Sequence, residues 1–323
     1  MALKINLVDN KNSLIFALSI NQINKKIMSY ENKVNEILVA HGLDFTIQKW
    51  PLSGTNDKGE TLVSPYYGLY NSKTGGCINT CKEGYTVSQN AEVVEMVLKG
   101  VEKFGSKLQV VKAGSIHEGR RVYLQLAIEG ESKIGGTDTI KRYVTVIDSN
   151  DGSTGLSVGI GDKVMHCKNQ FFKFYKAGNA KIRHTATLEQ KILTIPSLIE
   201  TALDVSIKQV EIYNKFISTP LTKHLADKMV KSVLGYDRVF TSAEKQAKLS
   251  TRSLNMMDTL YNNIDTEIKL VGNNVWALFN GVTRYTTHEM KGVKRTNGKD
   301  ESLLVGAGYK KATTGFNFAL SLV

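Results

Sequence analysis

Residues 107–130 read KLQVVKAGSIHEGRRVYLQLAIEG, and the way they alternate decides the fold. Apolar and polar residues trade places over two runs, and the glycine-bearing turn HEG lies between them. Period-two alternation broken by a short glycine turn predicts an antiparallel β-hairpin. KRYVTVIDSN (141–150) and TGLSVGIGDKVMHC (154–167) continue the pattern at hairpin spacing. The block from 107 to 167 is therefore expected to be an antiparallel sheet.

Just before it, QNAEVVEMVLKGVEKFG (89–105) places Val93, Val94, Val97, Leu98 and Val101 on one helical face. Asn90 is expected to cap this helix and Gly105 to follow its end. Further upstream, DFTIQKWPL alternates like a strand ending at Pro51. YYGLYNSKTGGCINTCKEGYTV looks like a hairpin with KTGG as its turn, and residues 12–41 carry helical spacing that stops at Gly42.

Beyond about residue 187 the periodicity becomes helical. Pro196 is expected to kink or restart the first helix, and Pro220 to separate it from the next. The fold class expected is α+β: an N-terminal antiparallel sheet with a packed helix, followed by an all-helical C-terminal half. The organisation expected is N-terminal helices over 1–44, an α+β domain over 45–186 and a helical domain over 187–323.

The chain has 323 residues and a net charge of +12, with three cysteines and four prolines. A surplus of this size favours polyanionic partners, of which nucleic acid is the commonest in the cytoplasm. The apolar run from Leu14 to Ile20 is too short to span a bilayer and no cleavage site follows a basic start, so a cytoplasmic protein is expected. An odd cysteine count makes no disulfide framework. Cys77 and Cys81 form a CxxxC pair without a second pair or a histidine cluster, so neither metal nor cofactor is expected.

The stretch NQFFKFYKAGNAKIRH (169–184) interleaves aromatics with cations, and from Lys163 to Lys191 seven basic residues meet one acid, Glu189. Cations that track a backbone beside aromatic faces suit single-stranded nucleic acid. Phe171, Phe174 and Tyr175 also fall at i, i+3, i+4, the stripe of an amphipathic helix turned to a core, which leaves Phe172 and the lysines outside. Arg120 with Arg121, and Lys141 with Arg142, are neighbours in strands, so only one of each pair can line a common groove.

The nucleic-acid site expected is Lys112, Arg121, Lys141, Arg142, Lys168, Phe172, Lys173, Tyr175, Lys176, Lys181 and Arg183. An alternative is a thiol- or metal-dependent enzyme centred on Asp151, Cys167, Asn169 and His184. A third reading is a scaffold or host-interaction protein whose helical half binds a partner. The acids of DSNDGST also suit an Asx–Gly turn, and GIGDK (159–163) lacks the spacing of a phosphate loop.

Several collinear stretches resemble one family. They are QKWPL (48–52), YNSKTGGCINTCKEGYTVSQNAEVVE (70–95), KAGSIHEGRRVYLQLAI (112–128), YVTVIDSNDGST (143–154), VMHCKN (164–169) and IRHTATLE (182–189). Together they resemble the phage/plasmid-like proteins grouped as domain of unknown function 932, over roughly residues 45–205. Asn150 stands where that pattern often has histidine, and Gln170 where it often has threonine. The resemblance implies a phage, prophage or plasmid origin and action in the bacterial cytoplasm. In outline the expected fold is also similar to phage single-strand annealing proteins, so binding and annealing of single-stranded DNA, as a possible homo-oligomer, is the leading expectation.

Overall fold

A computed structural model describes residues 30–323 except 137, 175–180, 238, 242–248, 291 and 293. Its frame is an antiparallel meander. Strands β4 (Leu108–Ile116), β5 (Arg121–Ile128), β7 (Asp138–Ser149), β8 (Leu156–Val164) and β9 (Gln170–Phe174) lie side by side in chain order. The short β6 (Ser132–Ile134) pairs with β7, and β10 (Lys181–Ile182) pairs with the start of β8. The predicted alternation is what the sheet uses. On β5, Val122, Leu124 and Leu126 enter one apolar core, while Tyr123 enters another on the opposite face.

A second antiparallel sheet holds β1 (Ile47–Thr55), β2 (Thr61–Asn71) and β3 (Cys77–Lys82). The KTGG turn is present: Asn71 Oδ1 accepts from the Lys73 and Thr74 backbone amides, and Gly75 takes φ 68°. Strand β1 does not stop at Pro51. It lies at a sheet edge, where a residue without an N–H is tolerated, and it runs on to Thr55 through a register shift between Pro51 and Ser53.

Helix α1 covers 30–40 and Gly42 follows at φ 64°; the rest of the helix expected over 12–41 lies outside the described residues. Helix α2 spans Asn90–Phe104, and its cap is Gln89 rather than Asn90. Gln89 and Glu92 form a reciprocal capping box. Asn90 is buried inside the first turn, where its amide donates to the carbonyls of Leu43 and Phe45.

Helix α3 (Leu188–Ile192) precedes α4 (Ile195–Ser218), whose first turn contains Pro196, so the proline restarts the helix instead of bending it. Then follow α5 (Lys223–Leu234), α6 (Thr251–Val271), α7 (Val275–Arg284), α8 (Gly298–Leu304) and α9 (Ala307–Leu320). The expected order of sheet then helices holds only in part: helices are interspersed with strands, and those after residue 187 pack on parts of both faces of the large sheet.

On the first face two cores meet under α4. Ile195, Ile199 and Ala202 join the core that holds α2 and the even residues of β5. Tyr213 and Phe216 join a second core with Ile140, Val164 and Phe171 of the sheet and residues of α5, α6, α7 and α9. The opposite face is covered at one end by α8, with Leu303 and Leu304 on Ile116, Tyr123, Ile147 and Phe172. Its other end, around Lys163 and Gln170, is bordered by the turn Tyr285–Glu289, whose Thr287 bonds the Gln170 backbone.

Close approach fixes how α6 and α7 pack. A Cβ built on Gly281 would lie 2.8 Å from Ile264 Cα and 2.9 Å from its backbone nitrogen. Backbone cannot swing aside as a side chain can, so Gly281→Ala is expected to destabilise the fold by about 2 kcal/mol, the typical cost of overpacking. Urea denaturation checks this, and a midpoint equal to that of the parent would contradict the packing.

The run that opens NQFFKFYK is a strand, not a helix. Phe171 therefore points to the second core, and Phe172 to the opposite face, where it is buried rather than exposed. Phe172 sits directly across from Gly161 and Phe174 across from Gly159. A Cβ on either glycine would meet Phe172 ring carbons or the Lys173 carbonyl at 2.5 Å. The glycines of GIGDK thus make room for rings, which explains them without a phosphate loop.

Candidate nucleic-acid interface

The other end of the second sheet face opens into a cleft. Its floor comes from strands: Lys112 of β4, and Lys163 of β8 with Gln170 of β9 as its register partner. Its wall comes from Lys294, Arg295 and Asn297, between α7 and α8, and from Lys299 in the first turn of α8. Lys168, in the turn from β8 to β9, and His288 close one side around a cavity of about 800 Å³. Lys141 is the register partner of Lys163, and cross-strand partners share a face, so it extends the positive floor. A smaller cavity of about 290 Å³ adjoins it along Gln125, Tyr143 and Phe172.

Local structure positions these cations. The turn after β8 is tied by Lys168 N–H to the Val164 carbonyl and Val164 N–H to the Asn169 carbonyl, both at 2.9 Å. Lys168 itself takes φ 59°, a left-handed backbone that disfavours side chains other than glycine. Asn169 anchors the turn from below, donating its amide to Glu267 Oε1 at 3.1 Å and to the Asn280 carbonyl at 3.3 Å. The end of α7 widens into a π-turn, Tyr285–Glu289, which places His288 Nε2 3.0 Å from the Cys167 carbonyl.

The positive charge is only partly matched. Lys112 pairs with Asp300, which also accepts from Tyr123 at 2.7 Å, and Arg295 pairs with Glu301. Lys299 donates to the Thr286 and Met290 carbonyls, and burial pushes its pKa down, so it acts as a strut for the wall. Lys141, Lys163, Lys168 and Lys294 carry no ion pair among the described residues.

The expected site residues therefore divide. Lys112, Lys168 and Lys141 gather at the cleft. Arg142 lies on the other sheet face, donating to Ser206 Oγ at 3.2 Å. Arg121 is not part of the cleft lining: Asp151 at 3.0 Å and Ser153 hold it, and Glu301, the partner of Arg295, lies 3.8 Å away. Lys173 lies 4.1 Å from the centre of the Phe316 ring, and burial lowers its pKa. Arg183 is exposed near β10, at the far end of β8. Tyr175, Lys176 and the Lys181 side chain lie outside the described residues. Lys163, Lys294, Arg295 and Lys299 were not among the expected residues. The wall residues lie in KGVKRTNGK (291–299), whose excess of Lys and Arg is the signal that could have found them.

The enzyme constellation does not assemble. Cys167 follows the end of β8, whereas His184 follows β10, which pairs with the start of β8. Eight strand steps of about 3.3 Å put roughly 26 Å between those ends. Burial pushes the Cys167 thiol up to about 12, so it stays protonated at neutral pH. Asp151 forms an Asx turn, accepting from Ser153 N–H at 2.9 Å, and pairs with Arg121.

His184 instead forms a buried ion pair with Asp148. Nε2 lies 2.8 Å from Asp148 Oδ1, and Nδ1 lies 3.1 Å from the Thr86 carbonyl. Both ring nitrogens face acceptors, so the imidazolium is the form that satisfies them. Ser88 donates to the other Asp148 oxygen, and Tyr85 stacks on the ring at 5.1 Å. This polar knot joins β7, β10 and the entry to α2.

No helix among the described residues is long and apolar enough to cross a membrane. Residues 78–305, more than half of the chain, match the model of a family described as "Domain of unknown function (DUF932)". The chain belongs to that family. No curated protein and no solved structure matches it.

Proposed function

We propose that this member of the DUF932 family binds single-stranded nucleic acid through the basic cleft, as a non-enzymatic protein of phage or other mobile-element replication or recombination. The observation that carries the reading is the convergence of Lys112, Lys141, Lys163, Lys168 and Lys294 from distant parts of the chain onto one sheet end. Like charges set directly across a strand pair, as Lys141 and Lys163 are, destabilise a sheet unless something negative joins them. A phosphate chain supplies that charge at regular spacing. Tyr143, half-buried beside the cleft, offers a ring for a base, a part the buried Phe172 does not fill.

The setting proposed is the bacterial cytoplasm, with phage or plasmid DNA as the strand and annealing by an oligomer as the activity. Fluorescence anisotropy with labelled single- and double-stranded oligonucleotides, taken across a salt series, tests it. Single-strand binding is expected, weakening with a log–log slope of about −0.7 for each phosphate neutralised. Absence of binding at low salt would retire the proposal. A clear preference for duplex would retire its single-strand part.

A further inference from the structure

A second constellation lies behind the cleft and plays no part in the phosphate reading. A ring nitrogen of His166, Cys167 Sγ and a carboxylate oxygen of Glu267 all lie within 4.8 Å of one another. We propose that these three side chains form a binding site for a single divalent transition-metal ion of the zinc class, with its fourth position open to water.

Three independent features of the structure support it. The first is distance. A tetrahedral ion with bonds of about 2.0–2.3 Å holds its ligand atoms roughly 3.3–3.8 Å apart, so the trio closes by no more than about 1.5 Å.

The second is the state of Glu267. The residue is completely buried, and its Oε1 accepts from Asn169 and from Arg284 at 3.2 Å. Its Oε2 is buried with no partner among the described residues. An unmatched carboxylate oxygen in a core is costly, and a cation relieves it.

The third is the orientation of His166. Its Nδ1 lies 2.9 Å from Oδ1 of Asp138, whose side chain is fully buried. Asp138 is fixed in turn by Trp276 Nε1 and the Thr139 backbone amide, each at 2.9 Å. With Nδ1 turned to Asp138, Nε2 is the ring nitrogen left for a metal, the arrangement a metal-bound histidine adopts with a carboxylate behind it.

The donor set selects the ion. Sulfur with imidazole favours zinc-class metals, whereas calcium and magnesium take oxygen. On binding, the Cys167 S–H proton leaves to solvent as the metal–sulfur bond forms. The bond would join the turn after β8 to α6, fixing the side of the cleft from which Lys168 projects.

Equilibrium dialysis against zinc, together with absorption spectra of the full chain titrated with cobalt(II), tests the proposal. One zinc per chain is expected, and cobalt is expected to give a thiolate charge-transfer band. Cys167→Ser should abolish the band. His166→Ala, at a partly exposed position that folding tolerates, should weaken zinc at least tenfold. Asp138→Asn should weaken it 10- to 100-fold, the range for partners behind a ligand. Failure of the parent protein to retain zinc would overturn the assignment. So would zinc binding unchanged in both Cys167→Ser and His166→Ala, or binding lost instead on replacing Cys77 and Cys81.

Discussion

Asp148→Ala is expected to destabilise the protein by about 3–5 kcal/mol, because it strands one half of a buried ion pair. His184 and Asp148 are almost wholly inaccessible, at 4% and 1% side-chain exposure. The variant leaves an imidazole in the core with its Nε2 facing no acceptor. The check is a urea midpoint shift with an unchanged m-value. A loss below about 1 kcal/mol would show that solvent reaches the pair. His184→Ala should cost a similar amount, since it leaves the carboxylate unpaired. The double variant should lose less than the sum of the two, because contacting residues do not act additively.

The same pair fixes the sign of a pH effect. Burial alone would push the histidine down, but the hydrogen bond and charge of Asp148, with the Thr86 carbonyl, outweigh it and hold the pKa above its ordinary value. The native state then binds a proton that the unfolded state releases above about pH 6.5. The pair's contribution is full below that pH and declines as the pH rises through the elevated native value. Asp148→Ala should remove this decline, and a decline of equal size in the variant would assign it to other groups.

The combined variant Lys163→Glu, Lys168→Glu, Lys294→Glu is expected to reduce the salt slope of single-strand binding by about 2. Three lost phosphate contacts at about 0.7 each account for that figure. Changing these lysines leaves folding contacts intact, whereas Lys112, Arg295 and Lys299 have partners in the protein, so that changing those would confuse binding with folding. Arg183→Glu is the control for Lys163→Glu alone, since each reverses one charge and Arg183 is exposed at the other end of β8. It should alter the slope by less than one contact. Equal losses from these two single variants would mean that total charge, rather than the cleft, governs binding.

Much of the fold was legible because its signals are local. Alternation with glycine turns marked β4 to β8, the valine face marked α2, and Pro196 and Pro220 marked helix starts and breaks. Where two periods shared the same letters, the sequence was ambiguous. Phe171 and Phe174 satisfy a helical stripe, Phe172 and Phe174 a strand face, and only the neighbouring Gly159 and Gly161 of β8 select the strand. Asn90 and Gln89 are both plausible caps by composition. The carbonyls of Leu43 and Phe45 draw Asn90 inward and leave the cap to Gln89.

By itself the sequence determined the antiparallel strands β4, β5, β7 and β8, the apolar face of α2 and the excess of positive charge. Only the tertiary structure decided which sheet face the helices cover, and hence that Lys141 belongs to the cleft while Arg142 turns to Ser206. It alone brought Lys112 beside Lys294, and Cys167 beside Glu267, across about a hundred residues or more of chain. The physical reason is that periodicity records whether a residue faces apolar or polar surroundings. Which residues become neighbours is settled when separate elements bury those faces against one another.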